Sequence, residues 1–203
     1  SGRTNGMSAP SGDSQVELQE YVYQKFNLSP ESVSLIELGT AGTPMGDAVE
    51  VNALKRVHGN NLERNTCALS SIKTNIGHAL HASSVCGLIK LVMSLEKKIL
   101  PPMINFKTLH SDIDLSDSPL FVNTQCQDWG SVPGVARRAA INSISMTGTN
   151  AFMILDEYPK ELCKNQDEID DEVPMLLSLS AKSKYSLASL IESYINYLST
   201  DEG

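Results

Sequence analysis

No stretch of this 203-residue chain is long and apolar enough to read as a membrane span; the longest candidate, residues 85–95, is interrupted by Lys90. Positive charge is also scarce. Sixteen Lys and Arg stand against twenty-four Asp and Glu, a net charge of −8. That balance argues against nucleic acid or an anionic membrane as the principal partner, and the adjacent Arg137 and Arg138 are too few to form a basic patch. Cysteine is sparse: Cys67, Cys86, Cys126 and Cys163 form no CxxC pair and have no ligand-like spacing to histidine. With no secretory signal visible, the thiols are expected to be reduced and the protein cytoplasmic. No internal repeat occurs.

What is present is enough apolar residue, 41%, for one packed domain with room for an appendage. Residues 1–12 are polar and rich in Gly and Pro, so they read as a loop. Asp13 or Ser14 caps an expected helix to about Phe26. Val33 to Leu38 reads as a buried strand, Gly39 to Gly46 as a loop, and Asp47 or a neighbour as the start of a helix with Val49, Ala53, Leu54 and Val57 inward. Cys67 to Ile72 is the next strand. A long helix, His78 to Ile99, is stopped by Pro101 and Pro102. Residues 103–130 are irregular apart from an extended piece at Leu120 to Thr124. Arg138 to Ile144 and Asn150 to Asp156 read as strands. This alternation implies an α/β layered domain. An acidic linker follows over 157–172, then a strand at Met175 to Ser180 and a helix at Ser183 to Leu198, with Leu187, Leu190, Ile191, Tyr194 and Leu198 on one stripe.

The segment 71–87, SIKTNIGHALHASSVCG, places Lys73 and His78 at the mouth of a strand-to-helix turn. Sites in α/β folds form at such carboxyl ends of strands. Two other patterns are rejected. His78 and His81, three apart on the expected helix, lack a third metal ligand. The glycines at 39, 42 and 46 lack the trailing Gly-Lys-Ser/Thr of a phosphate loop. His58 and His110 have no evident partner and default to the surface.

KTNIGH, residues 73–78, resembles the lysine-plus-NIGH segment of β-ketoacyl synthases, in particular those of modular polyketide synthases. GTAGTPMGD, residues 39–47, is similar to their HGTGT-x-x-GD loop, and SISMTGTNA, residues 143–151, to SFGxGGTNA. Pro101 to Phe106 and Phe121 to Thr124 also have counterparts. The motifs are collinear over about residues 2–158, and their order and spacing carry the resemblance.

The resemblance implies the carboxy-terminal half of a thiolase-like fold over residues 1–158, followed by 159–203 as linker and start of a flanking subdomain. It implies a cysteine nucleophile in an upstream half, so this half alone is expected to be inactive. His78 matches one of the family's two histidines, and its Nε2–H would hydrogen-bond a thioester carbonyl. Lys73 is expected to form an ion pair with Glu50. Gly39 stands where the first histidine belongs. Losing such a donor costs about 10²–10³ in rate, and the resemblance is therefore to the non-elongating type, which passes acyl chains on without condensation. The oxyanion and gatekeeper loop would be Ile144, Met146, Thr147, Gly148 and Asn150, with Ile144 and Met146 replacing two phenylalanines and Ser145 and Thr147 replacing glycines. The implied partners are the upstream half, an acyl carrier protein bearing a phosphopantetheine arm, and neighbouring synthase domains. No cofactor or metal is expected on the chain itself, and the complete enzyme is expected to be a homodimer. A catalytically dead scaffold for the same assembly line is the alternative.

Overall fold

The computed structural model describes residues 10–39, 42–59, 64–130, 134–145, 148–158 and 177–199. By internal contacts the chain divides into two units, Ser1–Pro159 and Lys160–Gly203.

The first unit opens with α1, Gly12–Lys25. Its cap is Ser11 rather than Asp13 or Ser14: the Ser11 hydroxyl accepts the Ser14 N–H at 3.2 Å. Asp13 sits in the first turn and Lys25 in the last, both favourably placed on the helix dipole. The strand β1, Leu35–Glu37, leads to α2, Pro44–His58. This helix starts three residues earlier than expected because Pro44 is suited to its first turn. β2, Cys67–Ser70, leads to the short α3, Lys73–Ile76, and then to α4, Ser83–Lys97. Two-residue strands β3, Ile99–Leu100, and β5, Gln127–Asp128, form a small ribbon. β4 is Leu120–Val122, β6 Arg138–Ser143 and β7 Ala151–Asp156.

The long helix expected from His78 to Ile99 is therefore corrected. Gly77, at φ +76°, ends α3, and Leu80 is left-handed at φ +49°. His78 lies in the turn between two helices, and His78 and His81 do not share an α-helix. Gly77 is a local stop signal for α3, but residues 78–82 are all helix-compatible, so the late start of α4 has no local signature; the Leu80 N–H bonds His78 Nδ1 instead of a helical carbonyl.

β4, β2, β1 and β6 run parallel in that order, and β7 closes the sheet antiparallel to β6. Such a sheet must be covered on both faces. On one face Val16 and Tyr23 of α1 and Val51, Leu54 and Val57 of α2 pack on Ile36, Leu69, Ala140 and Phe152. Val51 and Val57, not Val49, are the buried valines of α2. On the other face Leu91 and Leu95 of α4, with Trp129, pack on Leu35, Ala68, Ala139 and Ile141. The small residues Ala68 and Ala139 let α4 come close to the sheet. The opposite side of α4 exposes Val85, Ile89, Val92 and Met93 at 57, 55, 49 and 47%.

His58 is not a surface residue. It is 2% exposed, and its Nε2 lies 3.3 Å from the Tyr23 hydroxyl. Burial lowers its pKa to about 4, opposed by a backbone hydrogen bond with Pro30. Cys67 is buried, Cys86 half-buried and Cys126 exposed, all as free thiols. No helix among the described residues is long and apolar enough to cross a membrane.

The second unit is described over 177–199. Its helix α5, Lys184–Leu198, is capped by Ser183, whose hydroxyl accepts the Ser186 N–H at 3.1 Å. The strand expected over Met175 to Ser180 is not formed at 177–180, which pair with no strand among the described residues. Residues 175–176 and the acidic segment 159–172 lie outside the described residues.

Candidate functional site

Parallel strands bring their carboxyl ends to one edge, and that is where the sequence motifs converge. β1 ends at Glu37 and continues through Leu38 to Gly39. β2 ends at Ser70 and continues to Lys73. β6 ends at Ser143, just before the 144–150 loop.

The chain enters α3 with the Ile72 N–H bonded to Glu37 Oε1 at 2.5 Å. Lys73 Nζ donates to the Leu38 carbonyl at 3.0 Å. Two successive residues of the β1 end thus hold two successive residues of the Lys73 turn. The expected ion pair between Lys73 and Glu50 is not among the ion pairs of the described residues. Glu50 is completely buried, accepting the Gly39 N–H at 2.8 Å and the Asn142 side-chain amide at 2.9 Å, both on Oε1. A backbone carbonyl has taken the lysine, and a backbone amide with a side-chain amide has taken the carboxylate.

His78 is exposed. Its Nδ1 accepts the Leu80 N–H at 3.0 Å, with Ser83 Oγ at 2.9 Å. A backbone amide can only donate, so in the neutral ring the proton is on Nε2. That nitrogen is a donor available to a substrate oxygen.

Gly39 is held by more than the loss of a side chain. A Cβ at this position would lie 2.8 Å from the Asn142 carbonyl oxygen and 3.2 Å from Ile144 Cγ1. The chain passes so close to the end of β6 that only glycine fits without movement. In the late loop, Ser145 N–H donates to Asn150 Oδ1 at 3.4 Å, and Gly148, at φ +80°, closes a turn onto the Ser145 carbonyl at 3.0 Å. Met146 and Thr147 lie outside the described residues. A cavity of about 290 Å³ opens beside this edge, with Lys73 and Asp47 among its polar lining and Val51, Met103 and Phe106 among its apolar lining.

The family model of the β-ketoacyl synthase C-terminal domain matches residues 1–107, and that of the ketoacyl-synthetase C-terminal extension matches 110–203. The chain belongs to the β-ketoacyl synthase family. This ketosynthase domain is 35% identical over 203 residues to the polyketide synthase PksL of Bacillus subtilis, covering 99% of the chain and 4% of that protein. It is 34% identical over 201 residues to the highly reducing polyketide synthase sdnO of Sordaria araneosa, covering 98% and 6%. Among solved structures, the ketosynthase from module 6 of the bacillaene synthase of Bacillus subtilis 168 matches with TM-score 0.75 and 34% identity, covering all of this chain and 34% of that one. The chain thus spans a small fraction of the curated relatives and about a third of the solved ketosynthase. The fold is the mixed α/β carboxy-terminal part of the thiolase-like ketosynthase structures, with its extension.

Four residues of this edge were missed by sequence reasoning. Glu37 and Lys90 form a buried ion pair at 3.3 Å with side chains 2% and 11% exposed, Ser70 bonds Lys90, and Asn142 bonds Glu50. A signal existed for the first two: opposite charges interrupting two otherwise apolar runs, a strand and a helix.

Proposed function

We propose that this domain completes a polyketide synthase ketosynthase that receives an acyl chain from an acyl carrier protein and passes it on without condensation. The nucleophile is a cysteine of the upstream half. Its thiolate adds to the acyl thioester carbonyl, the bond to the pantetheine sulfur breaks, and that sulfur takes up a proton, exchanging one thioester for another. His78 supplies the Nε2–H donor beside the reacting carbonyl, and Lys73 and Glu50 hold the turns around it. The late loop, Ile144 to Asn150, lines the oxyanion side. The phosphopantetheine arm arrives on the carrier protein and is not a resident cofactor. The exposed apolar side of α4 is where the upstream half is expected to dock. The complete enzyme is a homodimer of the cytoplasm.

The observation that carries this reading is Gly39. Decarboxylative condensation draws on a second imidazole at this position, and here the close approach to Asn142 leaves no room even for a Cβ. Transacylation needs only nucleophile, base and oxyanion hole, so it survives the loss.

The test is intact-protein mass spectrometry of the complete ketosynthase incubated with an acyl-carrier thioester. An added acyl mass, lost when the upstream cysteine is mutated and with no carbon–carbon bond formed on adding an extender thioester, is the expected result. Carbon–carbon bond formation refutes the non-condensing reading. No added mass favours the second reading, a scaffold that holds carrier proteins in register, for which the replaced residues Ile144, Met146 and Thr147 speak.

A further inference from the structure

Glu37 is 1% exposed at the end of β1, on the face covered by α4. Its two oxygens do different work. Oε1 accepts the Ile72 N–H at 2.5 Å, and Oε2 faces Lys90 Nζ of α4 at 3.3 Å. Lys90 also bonds the hydroxyl of Ser70, itself fully buried at the end of β2. Ile72 is the residue that enters α3, and its own side chain offers no cap. Glu37 therefore satisfies a backbone donor that the helix start leaves open.

The approach of α4 is made for this carboxylate. A Cβ on Gly87 would stand 2.9 Å from Glu37 Cγ and 3.2 Å from its Oε1, so glycine is what lets the helix lie over the acid. One helical turn further on, Lys90 reaches the same group. Burial pulls the Lys90 pKa down, and the adjacent carboxylate opposes that shift. Two charges taken out of water are a costly way to gain stability, since a well-packed apolar pair serves as well or better. Their geometry points instead to what they hold. Glu37 and Leu38 grip Ile72 and Lys73, and five residues beyond Lys73 comes His78.

We propose that Glu37, backed by Lys90 and Ser70, is the positioning device of this site: its Oε1 fixes the Ile72 amide and so the turn that carries Lys73 and His78. Glu37 touches no substrate; it acts through the turn. The inference rests on the acyl-transfer reading only for its kinetic readout.

The test compares two double variants of the complete ketosynthase. E37Q/K90M removes both charges but keeps an oxygen acceptor for the Ile72 amide. E37L/K90M removes the charges and the acceptor. Two quantities are measured: hydrogen exchange of the peptide spanning residues 71–78, and kcat and KM for acyl loading. E37Q/K90M is expected to keep the parental exchange and a loading kcat within about threefold, whereas E37L/K90M exchanges this peptide faster and loses about tenfold or more in kcat with KM unchanged, as expected when a catalytic group is mispositioned and not removed. Equal exchange and equal loading in the two variants overturn the proposal. Should E37L/K90M fail to fold, E37M/K90M carries the test, because methionine follows the shape of the glutamine side chain but offers no oxygen acceptor to the Ile72 amide; exchange over 71–78 faster than in E37Q/K90M supports the proposal and equal exchange overturns it. If the parent enzyme takes up no acyl group, the acyl-transfer reading fails, and hydrogen exchange alone decides the role of Glu37.

Discussion

Putting a side chain on Gly39 is the sharpest perturbation available. A Cβ there sits 2.8 Å from the Asn142 carbonyl oxygen, 3.2 Å from its carbonyl carbon and 3.2 Å from Ile144 Cγ1. Ordinary C···O contacts lie at about 3.3–3.6 Å, so the oxygen must move by roughly half an ångström. It belongs to backbone, in a residue paired with Phe152 of β7, and cannot swing aside as a side chain would. Gly39 is not in the left-handed region; the cost is contact, not backbone conformation. Overpacking of this kind costs about 1–3 kcal/mol. Moving the Gly39 segment also stretches the 2.8 Å bond from its amide to Glu50. Gly39→Ala in the complete ketosynthase is therefore expected to lose about 1–3 kcal/mol in urea unfolding. Gly39→His is expected to lose at least as much and to form no carbon–carbon bond, because the imidazole arrives on a displaced backbone. Trimming Ile144 to Ala relieves the side-chain contact alone, so Gly39→Ala with Ile144→Ala is expected to recover only part of the loss. If Gly39→His is as stable as the parent and restores condensation, the close approach is not what excludes the imidazole, and the reasoning fails.

Three further outcomes follow from buried polar groups. Glu50→Ala strands the Gly39 amide and the Asn142 side-chain amide, each at about 1–3 kcal/mol when left buried and unpaired, so urea unfolding should show a loss of several kcal/mol. Gln15 and Gln19 of α1 are 2% and 0% exposed, and among the described residues neither their amide nitrogens nor their oxygens have hydrogen-bond partners; Gln19→Leu is expected to raise stability by about 1–3 kcal/mol, and a fall in midpoint would contradict this. His58 is neutral in the fold, with a pKa lowered from 6.5 to about 4, so the unfolded chain binds the proton more readily. Its contribution is complete above pH 6.5 and is lost as the pH falls towards 4, a total of roughly 3 kcal/mol at about 1.4 kcal/mol per pKa unit. His58→Gln should flatten stability over that window; an unchanged slope would remove His58 as its cause.

The architecture was legible where one local rule decides. The apolar runs at Leu35–Glu37, Cys67–Ser70, Arg138–Ser143 and Ala151–Asp156 became strands, and the amphipathic runs near 12–25, 44–58 and 184–198 became helices. What was not legible is set by partners distant in sequence. Residues 78–82 have ordinary helical propensity, yet Leu80 takes positive φ and the expected helix begins only at Ser83. The strand expected at Met175 to Ser180 has apolar residues, but none of 177–180 finds a ladder partner among the described residues. Lys73 and Glu50 do not meet because each is satisfied by a backbone group nearer than the other. His58 reads as surface until Tyr23, thirty-five residues away, covers it.

The two buried carboxylates explain why the end of β1 can serve as the organising point of the site. The pleat sends successive side chains to opposite faces. Glu37 thus falls on the α4 face and holds the Lys73–His78 turn, while Glu50 comes up from α2 on the other face and holds Gly39 to Asn142. Each accepts a backbone amide from a loop that would otherwise be free to move at the sheet edge. Such loops carry function when a rigid scaffold fixes them, and here the scaffold does so with one acid from each side. On the proposed acyl-transfer reading, the missing imidazole at Gly39 and the imidazole kept at His78 are mechanically separate. The first is written into the Glu50 side, where backbone crowds backbone. The second depends on the Glu37 side, where the turn, its cap and its lysine are intact. If that reading holds, a site built this way loses the group needed for condensation without disturbing the group needed for acyl transfer.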